Sequence, residues 1–97
     1  MIRHTVSFRL NPSLGAAGAE RFFNAAQALS LITGVERFEH LRQVSTTSAF
    51  TDGFSMEFAD RAAYDAYNED PLHVTFVRDY WATSVADFQE LDFVPVE

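Results

Sequence analysis

Two histidines and a tyrosine are the residues of this chain best suited to chemistry: His4, Tyr67 and His73. Imidazole is the side chain that takes up and returns a proton near neutrality, and a phenol can hydrogen-bond an oxygen on which charge develops. His73 closes the segment Tyr67-Asn68-Glu69-Asp70-Pro71-Leu72-His73, whereas His4 lies near the other end of the chain. If the fold gathers all three in one apolar pocket, they make a proton-transfer site. His73 would then be the general base, Tyr67 would orient it, and His4 or Tyr67 would hydrogen-bond a developing enolate oxygen. The competing reading is a set of core side chains, each histidine held by a single hydrogen bond. His73 is expected in the first turn of a helix, where burial and the helix dipole both lower its pKa and leave a neutral base. His40, beside Glu39 and Arg42, is expected to face solvent or a subunit interface. The three histidines are not spaced as a ligand pair and no carboxylates accompany them in a recognisable pattern, so no metal site is expected.

The elements that must position these groups are legible in the periodicity. From Ile2 to Leu10 the chain alternates, with His4, Val6, Phe8 and Leu10 on one face and Arg3, Thr5, Ser7 and Arg9 on the other, the pattern of a strand with one buried side. Asn11-Pro12-Ser13 breaks it. Ala19, Phe22, Phe23, Ala26 and Leu29 then form a helical stripe that Gly34 ends. Val35 to Arg42 reads as a second strand, Ser45-Thr46-Thr47-Ser48 as a loop, and Phe54, Met56 and Phe58 as the inward face of a third strand. Asp60 is a candidate N-cap for a short helix with Ala63, Ala66 and Tyr67 inward, and Asp70-Pro71 restarts helix with a cap and a first-turn proline. The inward stripe of this last helix is expected to be His73, Phe76, Val77, Tyr80 and Trp81. Leu91 and Phe93 mark a final strand from about Asp87 to Val94, ended by Pro95. The order β-α-β-β-α-β is that of a ferredoxin-like α+β domain, a four-stranded antiparallel sheet with helices on one face, in a single domain over residues 1–97. Its bare face would carry Arg3, Thr5, Ser7, Arg9, Ser55 and Glu57. That set suits a second copy of the chain, closing two sheets into a barrel.

Composition narrows the function. Fourteen acidic against seven basic residues leave a formal charge of −7, which repels nucleic acid and anionic membrane surfaces. Every base is arginine, so Schiff-base chemistry and pyridoxal phosphate attachment are excluded, and the lack of cysteine excludes thiolate catalysis and disulfides. No cofactor is expected. No apolar run approaches the roughly 20 residues that span a bilayer, and the start lacks an apolar leader, so a cytoplasmic protein is expected. Ten phenylalanines promise a ring-rich interior. A domain of this length buries only about 60–70% of its unfolded surface, so a partner subunit would help.

With Ile2-Arg3-His4-Thr5-Val6-Ser7-Phe8 at the start, Tyr67 and His73 around Asp70-Pro71, and Asp92-Phe93 near the end, the chain resembles the Dabb, or stress-responsive alpha/beta-barrel, domain family over nearly its whole length. The resemblance implies dimers of ferredoxin-like subunits joined through their sheets. A plant polyketide cyclase of that family works without a cofactor in a pocket between helices and sheet. Similarity to it implies catalytic roles for His4, Tyr67 and His73 and wall positions for Val6, Phe8, Phe22, Phe23 and Phe76. Ala26 stands where that enzyme has a second pocket tyrosine, so the same substrate is not expected and more apolar room is expected near Phe23. Three readings follow: a dimeric protein binding a small hydrophobic or aromatic molecule, a cofactor-free cyclase or isomerase of a polycarbonyl compound, and a non-enzymatic assembly unit with a filled core. A void of several hundred Å³ touching His4, Tyr67 and His73 separates the first two from the third.

Overall fold

A computed structural model describes all 97 residues. The alternating start forms β1 (Ile2–Leu10), with Ile2, His4, Val6 and Phe8 buried. A turn of 3₁₀ helix leads into α1 (Gly15–Ala26), which continues as a 3₁₀ turn over Gln27–Leu31. Gly18, Phe22, Ala26, Leu29 and Ile32 make its buried stripe. Gly34, at φ +93°, turns the chain into β2 (Glu36–Arg42), a reversal that a side chain resists. Then come β3 (Asp52–Phe58), α2 (Arg61–Glu69), α3 (Pro71–Phe76), a π-helical turn over Val77–Trp81, a last helical turn Ala82–Ser84, and β4 (Val85–Phe93). The sheet is antiparallel in the order β2-β3-β1-β4, the ferredoxin-like arrangement, and it puts His4 on a central strand.

Both expected caps form. The Ala63 N–H donates to Asp60 Oδ1 and the Leu72 N–H to Asp70 Oδ1, each at 2.9 Å, and Pro71 sits where a missing N–H costs nothing. Under the helices the rings interlock. Phe8, fully buried, lies 4.9 Å from Phe54, 5.1 Å from Trp81 and 5.8 Å from Phe22, centroid to centroid. Tilted ring pairs of this kind add about 0.5–1.5 kcal/mol each beyond the area they bury.

Three expectations about orientation are corrected. In α2 the inward residues are Tyr64 and Tyr67, flanked by Ala63, while Ala66 faces solvent. A rotation that buries two phenol rings, one stacked on Phe58 at 5.0 Å, outweighs one that buries a methyl group. After α3, Tyr80 lies outside and Trp81 takes the inward place. The π turn adds a residue to one turn, so Trp81, five positions after Phe76, reaches the core rings, while Tyr80 stacks on Phe76 from the outside at 5.9 Å. His40 is exposed, as expected, but on the helix side of the sheet, stacked on Phe23 at 4.2 Å, with its Nε2–H donating to Asp52 Oδ2 at 2.6 Å. A bulge places it there: Glu36 and Glu39 are register partners of Glu57 and Ser55, and Arg37, at φ +52°, is the extra residue.

The bare face of the sheet carries Arg3, Thr5, Ser7, Ser55 and Glu57, as read from the alternation. Leu91 and Phe93 join them, opposite Thr5 and Arg3 in register and about half exposed. Arg3 pairs with Glu57 at 3.1 Å.

Candidate active site

Because β4 runs antiparallel beside β1, Asp92 stands opposite His4 and Glu90 opposite Val6, all on the helix side. This register builds the site. The His4 side chain, only 9% exposed, brings Nδ1 to 2.6 Å from Asp92 Oδ1. A carboxylate only accepts, so Nδ1 carries the proton and Nε2 keeps its lone pair. From α2 the Tyr64 hydroxyl donates to Asp92 Oδ2 at 2.9 Å and lies 2.9 Å from His4 Nδ1, with Glu90 Oε1 at 3.4 Å. Burial first, then Asp92 and Glu90, push the Tyr64 pKa far above its usual value, so the phenol stays a donor. The imidazole is thus held in one tautomer and one orientation, and positive charge arriving on it is stabilised.

His4 Nε2 and the Tyr67 hydroxyl make no hydrogen bond within the chain, yet no enclosed side-chain polar atom lacks a partner. Both therefore open onto accessible space. That space is a cavity of about 370 Å³ between the sheet and α2 and α3. His4, Val6 and Met56 form its floor, Tyr67, His73 and Phe76 its roof. Trp81 and Leu29 close one side, and Phe88 and Glu90, each half exposed, form the outer rim. At about 30 Å³ per water molecule the volume suits a ligand of roughly a dozen non-hydrogen atoms.

His73 packs its ring 4.4 Å from that of Tyr67, and its Nδ1–H donates to the Asn68 carbonyl at 3.2 Å, which leaves Nε2 unprotonated. Burial lowers its pKa, and the Asn68 carbonyl opposes this only in part, so the ring is neutral at pH 7. Burial, helped by Glu90, raises the Tyr67 pKa. His4, Tyr67 and His73 therefore share one cavity, as their chemistry requires, with Val6 and Phe76 in its walls. Phe8, Phe22 and Ala26 are outside it, packed solid at 0–1% exposure, and Phe23 lies under His40 by a separate surface depression. Ala26 itself leaves no space, and the room beside Phe23 is in two open surface depressions apart from the His4 cavity.

Sequence reading missed Asp92 and Glu90 as partners of His4, and Tyr64 altogether. With His4 they form the one histidine–carboxylate set close enough to share a cation, their ligand atoms lying within 4.8 Å of one another. The hydrogen bonds from His4 and Tyr64 each take one oxygen of Asp92.

Residues 2–95 match the model of the stress responsive A/B barrel domain. A Dabb family protein with a ferredoxin-like fold from Mesorhizobium loti is 49% identical, with a TM-score of 0.93 over 99% of this chain and 97% of that one. A dimeric ferredoxin-like protein of unknown function from Thermobifida fusca is 19% identical, with a TM-score of 0.82 over 97% of this chain and 90% of its own. The hydroxynitrile lyase from Passiflora edulis is 14% identical, with a TM-score of 0.87 over 99% and 94%. At the two lower identities the likeness is one of fold. No curated protein matches the sequence.

Proposed function

The chain belongs to the stress responsive A/B barrel domain family, and on that footing we propose that it is a homodimer whose subunits each bind a small, largely apolar molecule beneath the helices and exchange a proton with it, without a cofactor. What carries the reading is the cavity of about 370 Å³ onto which the free Nε2 of His4, the Tyr67 hydroxyl and the His73 ring all open. A filled core would have sealed them.

The base in this reading is His4, not His73. Asp92 and the nearby Glu90 stand beside the imidazolium that forms when Nε2 takes a proton, whereas His73, whose pKa burial lowers, has only the Asn68 carbonyl on its Nδ1. The Cα–H bond of a carbonyl compound breaks, its electrons shift to the carbonyl oxygen, and the Tyr67 hydroxyl donates to that oxygen. Neutral His73 orients a substrate hydroxyl through Nε2. Isomerisation or cyclisation of a polycarbonyl compound is proton transfer of this kind.

The dimer reading is supported by Leu91 and Phe93, half exposed on the bare sheet face, and by a similar protein that is itself dimeric. A sedimenting monomer at micromolar concentration would overturn it. The catalytic reading is tested by NMR, as deuterium uptake from heavy water into the α-position of small aromatic ketones. His4→Gln, checked for fold by circular dichroism, should slow uptake by about 10²–10⁴-fold. A folded variant that exchanges as fast as the parent removes His4 from the mechanism.

A further inference from the structure

The rim of the cavity carries a carboxylate with no arginine or lysine beside it, its nearest basic group being the His4 imidazole, with Nδ1 at 3.7 Å. Glu90 lines the cavity with its side chain half exposed. Its one hydrogen-bond donor is the Tyr64 hydroxyl at 3.4 Å, which makes its shorter bond to Asp92. None of the seven arginines lines the cavity, and the chain has no lysine. Facing Glu90 across the space are rings: Phe54, Tyr67, Phe76, Trp81 and, on its own strand, Phe88.

A wall of aromatic faces with one carboxylate and no basic residue matches one ligand chemistry. We propose that the molecule taken here is an organic cation: a small aromatic ring joined to a protonated amine, its ammonium against Glu90 and its ring among the aromatic walls. The ring quadrupoles attract such a charge, and the formal charge of −7 draws it toward the protein. An anionic ligand would bring a further negative charge beside Glu90 and Asp92 with nothing to neutralise it. The inference rests on the cavity being a ligand site, and it refines the chemistry proposed there. When His4 Nε2 takes a proton from the carbon next to a carbonyl, the electron pair moves onto oxygen. An ammonium elsewhere in the same molecule adds to the stabilisation that the Tyr67 hydroxyl and the newly formed His4 imidazolium give that charge.

Three probes of nearly equal shape separate the possibilities: 2-phenylethylammonium, 2-phenylethanol and phenylacetate, titrated at pH 7 against the fluorescence of Trp81, the single tryptophan. Because Glu90 is half exposed, the ammonium should be preferred over the alcohol by roughly tenfold, not thousandfold, with phenylacetate weakest. Glu90→Gln should close the gap between ammonium and alcohol. Equal binding of alcohol and ammonium, or a preference that survives Glu90→Gln, overturns the cation assignment while leaving the ligand site standing. Failure of all three probes to bind overturns both.

Discussion

Tyr64 and Tyr67 are neighbours on one helix, both buried, and losing the hydroxyl should cost stability at the first and almost none at the second. In Tyr64→Phe the ring keeps its stacking on Phe58 at 5.0 Å, so packing is unchanged. What disappears is the 2.9 Å hydrogen bond to Asp92 Oδ2. A bond to a charged acceptor contributes about 1.5–3 kcal/mol. The Asp92 side chain is a third exposed, so water can replace part of it, and about 1.5 kcal/mol is the expected loss. At about 4–8 °C per kcal/mol for a domain of this size, Tm should fall by about 6–12 °C. Tyr67→Phe removes a hydroxyl with no partner in the chain and should move Tm by no more than about 2 °C, since no bond is broken and an apolar ring suits its surroundings. Activity should follow another order. Tyr67→Phe loses the donor to the substrate oxygen, while Tyr64→Phe acts only through the setting of His4. The assay is calorimetry at one fixed protein concentration, because dimerisation makes Tm concentration-dependent. Equal losses of Tm in the two variants would refute the assignment of Tyr64 to the Asp92–His4 pair.

Asp70→Ala removes the cap on Leu72 N–H and should cost about 0.5–2 kcal/mol; an unchanged melting curve would mean that α3 is not started by that side chain. Both limbs of the pH–stability curve have named sources. Since burial lowers the His73 pKa, the unfolded chain binds the extra proton first and stability falls as pH drops below 6.5, a limb that His73→Leu should flatten. Tyr64 and Tyr67 have raised pKa values, so above pH 10.0 the unfolded chain releases protons that the folded chain keeps. Stability should then fall by up to about 1.4 kcal/mol per pH unit for each, less steeply in Tyr67→Phe, as measured by denaturant titration.

The order of elements and both caps could be read from the chain because they depend on local signals: alternation in β1, Asp60 ahead of a helical run, Asp70 before Pro71. The trio of His4, Tyr67 and His73 was legible by residue type and resemblance. Its setting was not. Asp92 meets His4 only through the register of two strands at opposite ends of the chain, and periodicity carries no register between distant strands. In β4, Leu91 and Phe93 drew attention as the apolar residues, yet the face that matters is Phe88, Glu90 and Asp92, where polarity is the signal. Tyr64 was missed although Tyr64 and Tyr67 are spaced i, i+3, because the alanines beside them fit a helical stripe as well. The π turn left no local mark at all. It carries Trp81 against Phe8 and Phe88, partners that no window around residues 77–81 contains.

That turn lets the cavity wall tolerate a change of chain length. A π turn holds one residue more than an ordinary turn of helix, so the chain on either side of it keeps its facing. Taking one residue out of Val77–Tyr80 would restore ordinary winding and leave Trp81 on the cavity, against Phe8 and Phe88, with every strand, cap and hydrogen bond around His4 in place. Among chains of this architecture, a gain or loss of one residue between α3 and β4 is thus absorbed by winding, and it is substitution in the walls, not the length of that segment, that reshapes the chamber over the imidazole–carboxylate pair.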